Sequence, residues 1–140
     1  REDLRLEAYR RLATVVTHAE VDDIESEWLD RYGPLPGAAE ALLAIGRLRA
    51  ECARVGVTEV TAVPARPGAV GNPGRSGEVV ARLSPIALPA SAEVRLRRLH
   101  PRAIFKREAD QLIVPLKAGN DLPGALSALL AELLPVASAA

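Results

Sequence analysis

Methionine is absent from this chain, and cysteine occurs once among 140 residues. A lone Cys52 excludes an internal disulfide framework and a cysteine-based metal set. It suits a reducing compartment, so a cytoplasmic location is expected. Aromatic residues make up only 3% of the chain, too few for the stacking platforms that hold single-stranded nucleic acid. No apolar run approaches the ~20 residues of a bilayer span, and no signal peptide is visible. No membrane association is therefore expected. Formal charge sums to zero, with 18 basic against 18 acidic residues, so no global field draws the chain to a polyanion. The missing methionine and the charged helical opening read as a piece of a longer protein.

Catalytic constellations are also missing. An enzyme needs a nucleophile with a base, a metal set or a phosphate cradle. His18 and His100 are far apart, each isolated in a turn-like context. Cys52 falls on an apolar helical stripe and reads as a small core residue. The glycine-rich stretch 68–77, GAVGNPGRSG, lacks the Gly-x4-Gly-Lys-Ser/Thr order that lets amides and a lysine hold phosphate. Pro73 removes a further donor, and 65–77 reads as a linker. The acids of 20–30 occupy a solvent-facing helix with no cleft implied. No catalytic residue, metal ligand or cofactor is assigned.

What is present is a pattern of helices, then strands. Leu4, Ala8, Leu12 and Val15–Val16 recur at helical steps over 2–17, with Tyr9 and Ala13 widening the stripe. Thr17 and Glu20 have capping-box spacing for a helix over 18–32. Val21, Ile24, Trp28 and Tyr32 are expected on its inward face. Glu20, Asp22, Asp23, Glu25, Glu27 and Asp30 lie outward. Gly33 should stop it as a left-handed residue, and Pro34 and Pro36 should start the next. A third helix over about 36–55 carries Ala41, Leu42, Ile45, Leu48, Cys52 and Val55, with Gly56 as its stop. Short turns predict an antiparallel three-helix unit.

The period then changes. Residues 57–64 and 78–84 read as strands of a hairpin with a long tip. Residues 89–100 read as a short helix with Val94 and Leu96 or Leu99 inward. Two strands follow at about 103–107 and 111–116, turning at Glu108-Ala109-Asp110. Asp121 and Pro123 open a last helix to about 134, and 135–140 read as a frayed tail. The expected class is α+β: a helical part (1–56), then a sheet-and-helix part (57–134) with about four antiparallel strands, in a single domain.

Charge is uneven along this order. Residues 1–60 hold 8 basic and 12 acidic side chains, and 61–140 hold 10 and 6. Two features stand out. RLRRLHPR over 95–102 contributes Arg95, Arg97, Arg98 and Arg102, a patch that could contact phosphates or simply be solvated. SEWLDRYGPLP over 26–36 concentrates acids, aromatics and prolines at one helix end.

LEAYRRLA (6–13), EVDDIESEWLDRYGPLP (20–36) and ALLAIGRLRAECARVGV (41–57), in order and at matching spacing, resemble the C-terminal domain of bacterial transcription-repair coupling factor (Mfd). The resemblance covers residues 4–60. It implies a non-catalytic, autoinhibitory domain of a large ATP-driven DNA translocase. That family's protein removes stalled RNA polymerase from DNA and recruits excision repair through UvrA. The implied partner is the UvrB-like N-terminal module of the same protein, whose UvrA-binding surface the domain masks. The family's acids fall on Glu27 and Asp30, with Arg31 beside them. Three apart, the two acids share a helix face and could pair with arginines of the docking module. The alternative is an accessory module that touches nucleic acid through Arg95, Arg97, Arg98 and Arg102.

Overall fold

Helix α1 (Glu2–Ala13) is followed by α2 (His18–Tyr32), α3 (Gly37–Val55), β1 (Glu59–Pro64), β2 (Glu78–Ser84), α4 (Ala90–Leu99), β3 (Ile104–Lys106), β4 (Gln111–Lys117) and α5 (Leu122–Leu133). The computed structural model describes residues 2–64, 78–117 and 121–135, with side chains from residue 6 onward. The expected linker 65–77 and most of the expected tail lie outside the described residues. The class is α+β.

The four strands form one antiparallel sheet in the order β1-β2-β4-β3. Ala81 on β2 faces Val114 on β4, and Leu83 faces Leu112. All four are buried under Leu96 of α4 and Leu126, Leu129, Leu130 and Leu133 of α5. The alternate residues Val63, Arg82 and Ile104 are exposed on the opposite face. A second cluster joins Leu12 of α1, Val21, Ile24 and Trp28 of α2, and Leu43 and Ala50 of α3. Helix α3 belongs to both clusters, because Leu48, Cys52 and Val55 pack against the sheet-side core.

Local chemistry explains most boundaries. The Thr17 hydroxyl accepts from the Glu20 N–H, and Glu20 Oε1 accepts from the Val16 N–H at 3.2 Å, so the cap closes in both directions. The Asp121 side chain accepts from the Gly124 N–H, with Pro123 in the first turn of α5. Gly56 ends α3 at φ 86°, ψ 12°, the left-handed region that suits glycine.

Several expectations are corrected. Helix α1 stops at Ala13 instead of running to 17. Four β-branched residues follow Ala13 (Thr14, Val15, Val16 and Thr17), and Thr17 must be extended, at φ −132° and ψ 155°, to cap α2. Val15 is still buried, but from the connection. The buried stripe of α3 is Leu43, Gly46, Ala50 and Glu51, while Ile45 is exposed. A helix contacted on two sides rotates its stripe toward both partners. Gly33 has positive φ but ψ −154°, outside the left-handed helical well. On α4, Ala92 and Leu96 point inward and Val94 is 59% exposed. The α4 stripe follows the i, i+4 pair that faces α5.

Gly46 sets how close α1 and α2 come to α3. A Cβ placed there would stand 2.8 Å from Leu12 Cδ2 and 3.5 Å from Val21 Cγ2. Gly46→Ala should therefore gain helix propensity of about 1 kcal/mol and lose a similar amount to crowding. Gly46→Leu has no such offset and should destabilise by about 2 kcal/mol, read as a lower urea midpoint.

Candidate docking surface

Helix α2 buries Val21, Ile24 and Trp28. Helical geometry then turns Asp22, Asp23, Ser26 and Asp30 to solvent and leaves Glu25, Glu27 and Arg31 on the flanks. The flanks are braced. Arg47 of α3 meets Asp22 Oδ1 at 2.9 Å and Glu25 Oε1 at 3.0 Å. Arg11 of α1 donates to Glu27 Oε2, and Arg31, one turn on, donates to Glu27 Oε1 at 3.4 Å. The Glu27 carboxylate thus sits between two guanidiniums. The Arg11 hydrogen bond is the main cause that lowers its pKa below the usual carboxylate range.

Glu27 therefore ties α1 to α2, where sequence reading gave it no structural duty. Asp30 is exposed and has no ion-pair partner among the described residues. Arg31 lies over the Tyr32 ring, 5.4 Å from its centroid. Tyr32 itself is 52% exposed, against the expectation of a core anchor. The helix ends at Tyr32, and the chain leaves toward Pro36 without covering the ring.

Tyr32 instead borders a cleft of about 680 Å³ at the corner where α1, the end of α2 and the start of α3 meet. Tyr9, Trp28, Leu35, Arg11 and Arg31 also line it. Three of the chain's four aromatic residues are thus gathered in one place. Sequence reasoning missed this cleft and the role of Arg11. Arg11 and Glu27 are 16 residues apart, so no helical spacing links them.

The other candidates separate. Arg95 donates to the backbone oxygens of Glu132 (2.7 Å) and Leu133 (3.2 Å), closing the C-terminus of α5. Arg102 pairs with the buried Glu78 at 2.7 Å. Arg97 and Arg98 are exposed. The four arginines do not form one open patch. His18 Nε2 lies 2.8 Å from Glu51 Oε2, and Arg54 closes on the same carboxylate at 2.8 and 3.0 Å. This buried carboxylate locks the start of α2 to α3, with its pKa lowered chiefly by Arg54 against the opposing effect of burial. The Cys52 thiol is pushed up by burial, which keeps it protonated and poorly nucleophilic. His100 donates its backbone N–H to Leu96 O at the end of α4. Among the described residues there is no group of three or more potential metal ligands and no helix long and apolar enough to cross a membrane.

The fold and this corner define a small α+β module whose most developed surface is a charged, aromatic-lined helix end. A family model described as the TRCF domain matches residues 1–67. The transcription-repair-coupling factor of Mycobacterium tuberculosis is 40% identical over 119 residues, which is 85% of this chain and 9% of that protein. Its counterpart in Escherichia coli is 39% identical over 56 residues, 40% of this chain and 5% of that protein. The chain belongs to the TRCF domain family of transcription-repair-coupling factors. It spans 9% or less of the length of these relatives. The mycobacterial match extends well beyond residues 4–60, where the quoted sequence motifs lie.

Proposed function

We propose that this chain is the non-catalytic regulatory domain of a DNA translocase that couples transcription to nucleotide excision repair. It docks on the UvrB-like N-terminal module of the same protein, masks the UvrA-binding surface there and restrains the translocase. The parent protein engages RNA polymerase and DNA in the cytoplasm. The supporting observation is the pairing of a held acid with an open one on a rigid helix end. Glu27 is fixed between Arg11 and Arg31, and Asp30 stands beside it without a partner among the described residues. A fixed carboxylate loses less freedom on binding than a mobile one. Charged pairs at such an interface set register and can open again.

The test is a binding titration between this chain and the separately purified UvrB-like module. Asp30→Lys should weaken binding at least tenfold, about 1.4 kcal/mol, without altering the far-ultraviolet spectrum of the fold. Glu27→Lys should weaken it too, and should also loosen α1 because Arg11 loses its acceptor. Unchanged affinity in both variants would remove these residues from the docking site. A DNA titration at two salt concentrations separates the other reading. Tight binding with a steep salt dependence would favour contacts through Arg97 and Arg98.

A further inference from the structure

The two edges of the sheet are not alike. β3, at one edge, has three residues and ends on Lys106. A short strand with a lysine resists pairing with a further strand. β1, at the other edge, has six residues and is paired by β2 on one side. It has no lysine, and its proline is the last residue, Pro64. Among the described residues no strand lies against its outer row of backbone N–H and C=O groups. Thr61, Ala62 and Val63 are exposed. Ala62 is the informative residue. It lies across from the buried Ala81, on the face that carries the core, yet is itself exposed. The helical layer stops short of this edge.

Beside the edge runs a groove of about 420 Å³, between α3, the α1–α2 connection and the start of β1. Val16, Ile45, Leu48, Cys52 and Val60 line it. Val16 is 57% exposed and Ile45 46%. Single exposed apolar side chains are ordinary on a soluble domain. These two open onto one concavity next to an unpaired strand. Among the described residues Arg49 is the one charged side chain in the lining. It donates to Ala13 O and has no carboxylate partner among the described residues.

These features select an occupant. A row of open backbone groups is matched by another extended backbone, about 4.8 Å away, and not by a helix. Alternate side chains of such a strand turn to the Val60 face, into the groove. Apolar ones suit its walls, and a carboxylate suits Arg49. A second copy of β1 lacks that carboxylate. It would bring Val60, Ala62 and Pro64 to this face, because its Glu59 alternates to the other. We infer that the free edge of β1 takes an extended acidic peptide of another polypeptide. Its backbone continues the sheet, its alternate apolar side chains enter the groove below, and a carboxylate in the same row pairs with Arg49. The main chain supplies the affinity, and the groove with Arg49 supplies the choice of sequence. The site shares no residue with the α2 surface and stands whether or not that surface docks.

The probe is a short fluorescein-labelled peptide that alternates valine with threonine and carries one glutamate in the valine row. Fluorescence anisotropy should show it binding this chain. Lysine in place of that glutamate should weaken binding about fivefold. N-methylation of alternate peptide nitrogens should abolish it, because the ladder to β1 then loses its donors. These two changes leave the protein untouched. Arg49→Glu should reverse the order of the glutamate and lysine peptides, and Ile45→Asp should weaken both. Both residues are exposed, and circular dichroism with the urea midpoint confirms that each variant is folded. Alkylation of Cys52, the chain's one cysteine, should slow as the groove fills. Asp30→Lys should leave peptide binding unchanged. No binding up to about 1 mM peptide would overturn the site. So would binding that survives N-methylation, or that ignores Arg49→Glu and Ile45→Asp. A dimer in sedimentation that Ile45→Asp abolishes and the peptide does not disturb would give the edge to a second copy instead.

Discussion

Leu130→Ala should lower stability by about 3 kcal/mol, and the melting temperature by roughly 10 °C. Leu130 is 0% exposed and sits where α5 meets the sheet-side core. Alanine keeps the helix propensity of α5, so the loss isolates burial and the cavity left behind. The neighbours Leu126, Leu129 and Leu133 are on the same helix and cannot collapse far into the gap. Val94→Ala is the matched control. It removes a branched apolar side chain from an exposed site on α4, and should change stability by no more than about 0.5 kcal/mol. Equal losses in the two variants, measured by urea unfolding, would contradict the core assignment.

Arg54→Ala should cost about 2 kcal/mol at neutral pH, and its effect should depend on pH. Glu51 is only 4% exposed, and Arg54 supplies two of its hydrogen bonds. His18 remains as a partner, so the carboxylate is not left wholly bare. The sign of the pH dependence follows from the lowered pKa of Glu51 in the folded state. A lowered carboxylate pKa stabilises the fold above the unfolded value, ~4.3 for glutamate, and that contribution disappears as pH falls through the folded value. Without Arg54, burial pushes the Glu51 carboxyl upward, so it protonates earlier at less cost. The gap between wild type and variant should thus be widest above about pH 5 and narrow below about pH 4. A gap that stays constant across that range would assign the Arg54 effect to packing alone.

Features that depend on a few adjacent residues are legible in the sequence. Thr17 with Glu20, Asp121 with Pro123, and Gly56 each mark a helix end through chemistry that acts over one turn. The hairpin strands 57–64 and 78–84 and the turn at 108–110 follow from the period-two pattern. What is not legible depends on partners distant in the chain. The α3 stripe turns to Leu43 and Gly46 because α3 serves two neighbours at once. Ile86 and Leu88 are buried from an irregular stretch with no periodicity to reveal them. Two of the four arginines in 95–102 are engaged, by α5 and by Glu78, across 24 or more residues of separation. At the corner where α1, α2 and α3 meet, the acids and the helix stop can be read from sequence. The cleft cannot, since it is made by three helices meeting.

Helix α3 has a consequence for how the molecule opens. Nineteen residues make a rod about 28 Å long. Its buried positions are committed to the α1–α2 cluster, and Leu48, Cys52 and Val55 to the sheet-side core. Amides near its middle can exchange with solvent only when both cores let go, so they report the slowest opening of the fold. The α2–α3 corner, by contrast, hangs on one cluster alone. A pull on the α2–α3 corner can loosen α1 and α2 while the far end of the same rod stays seated.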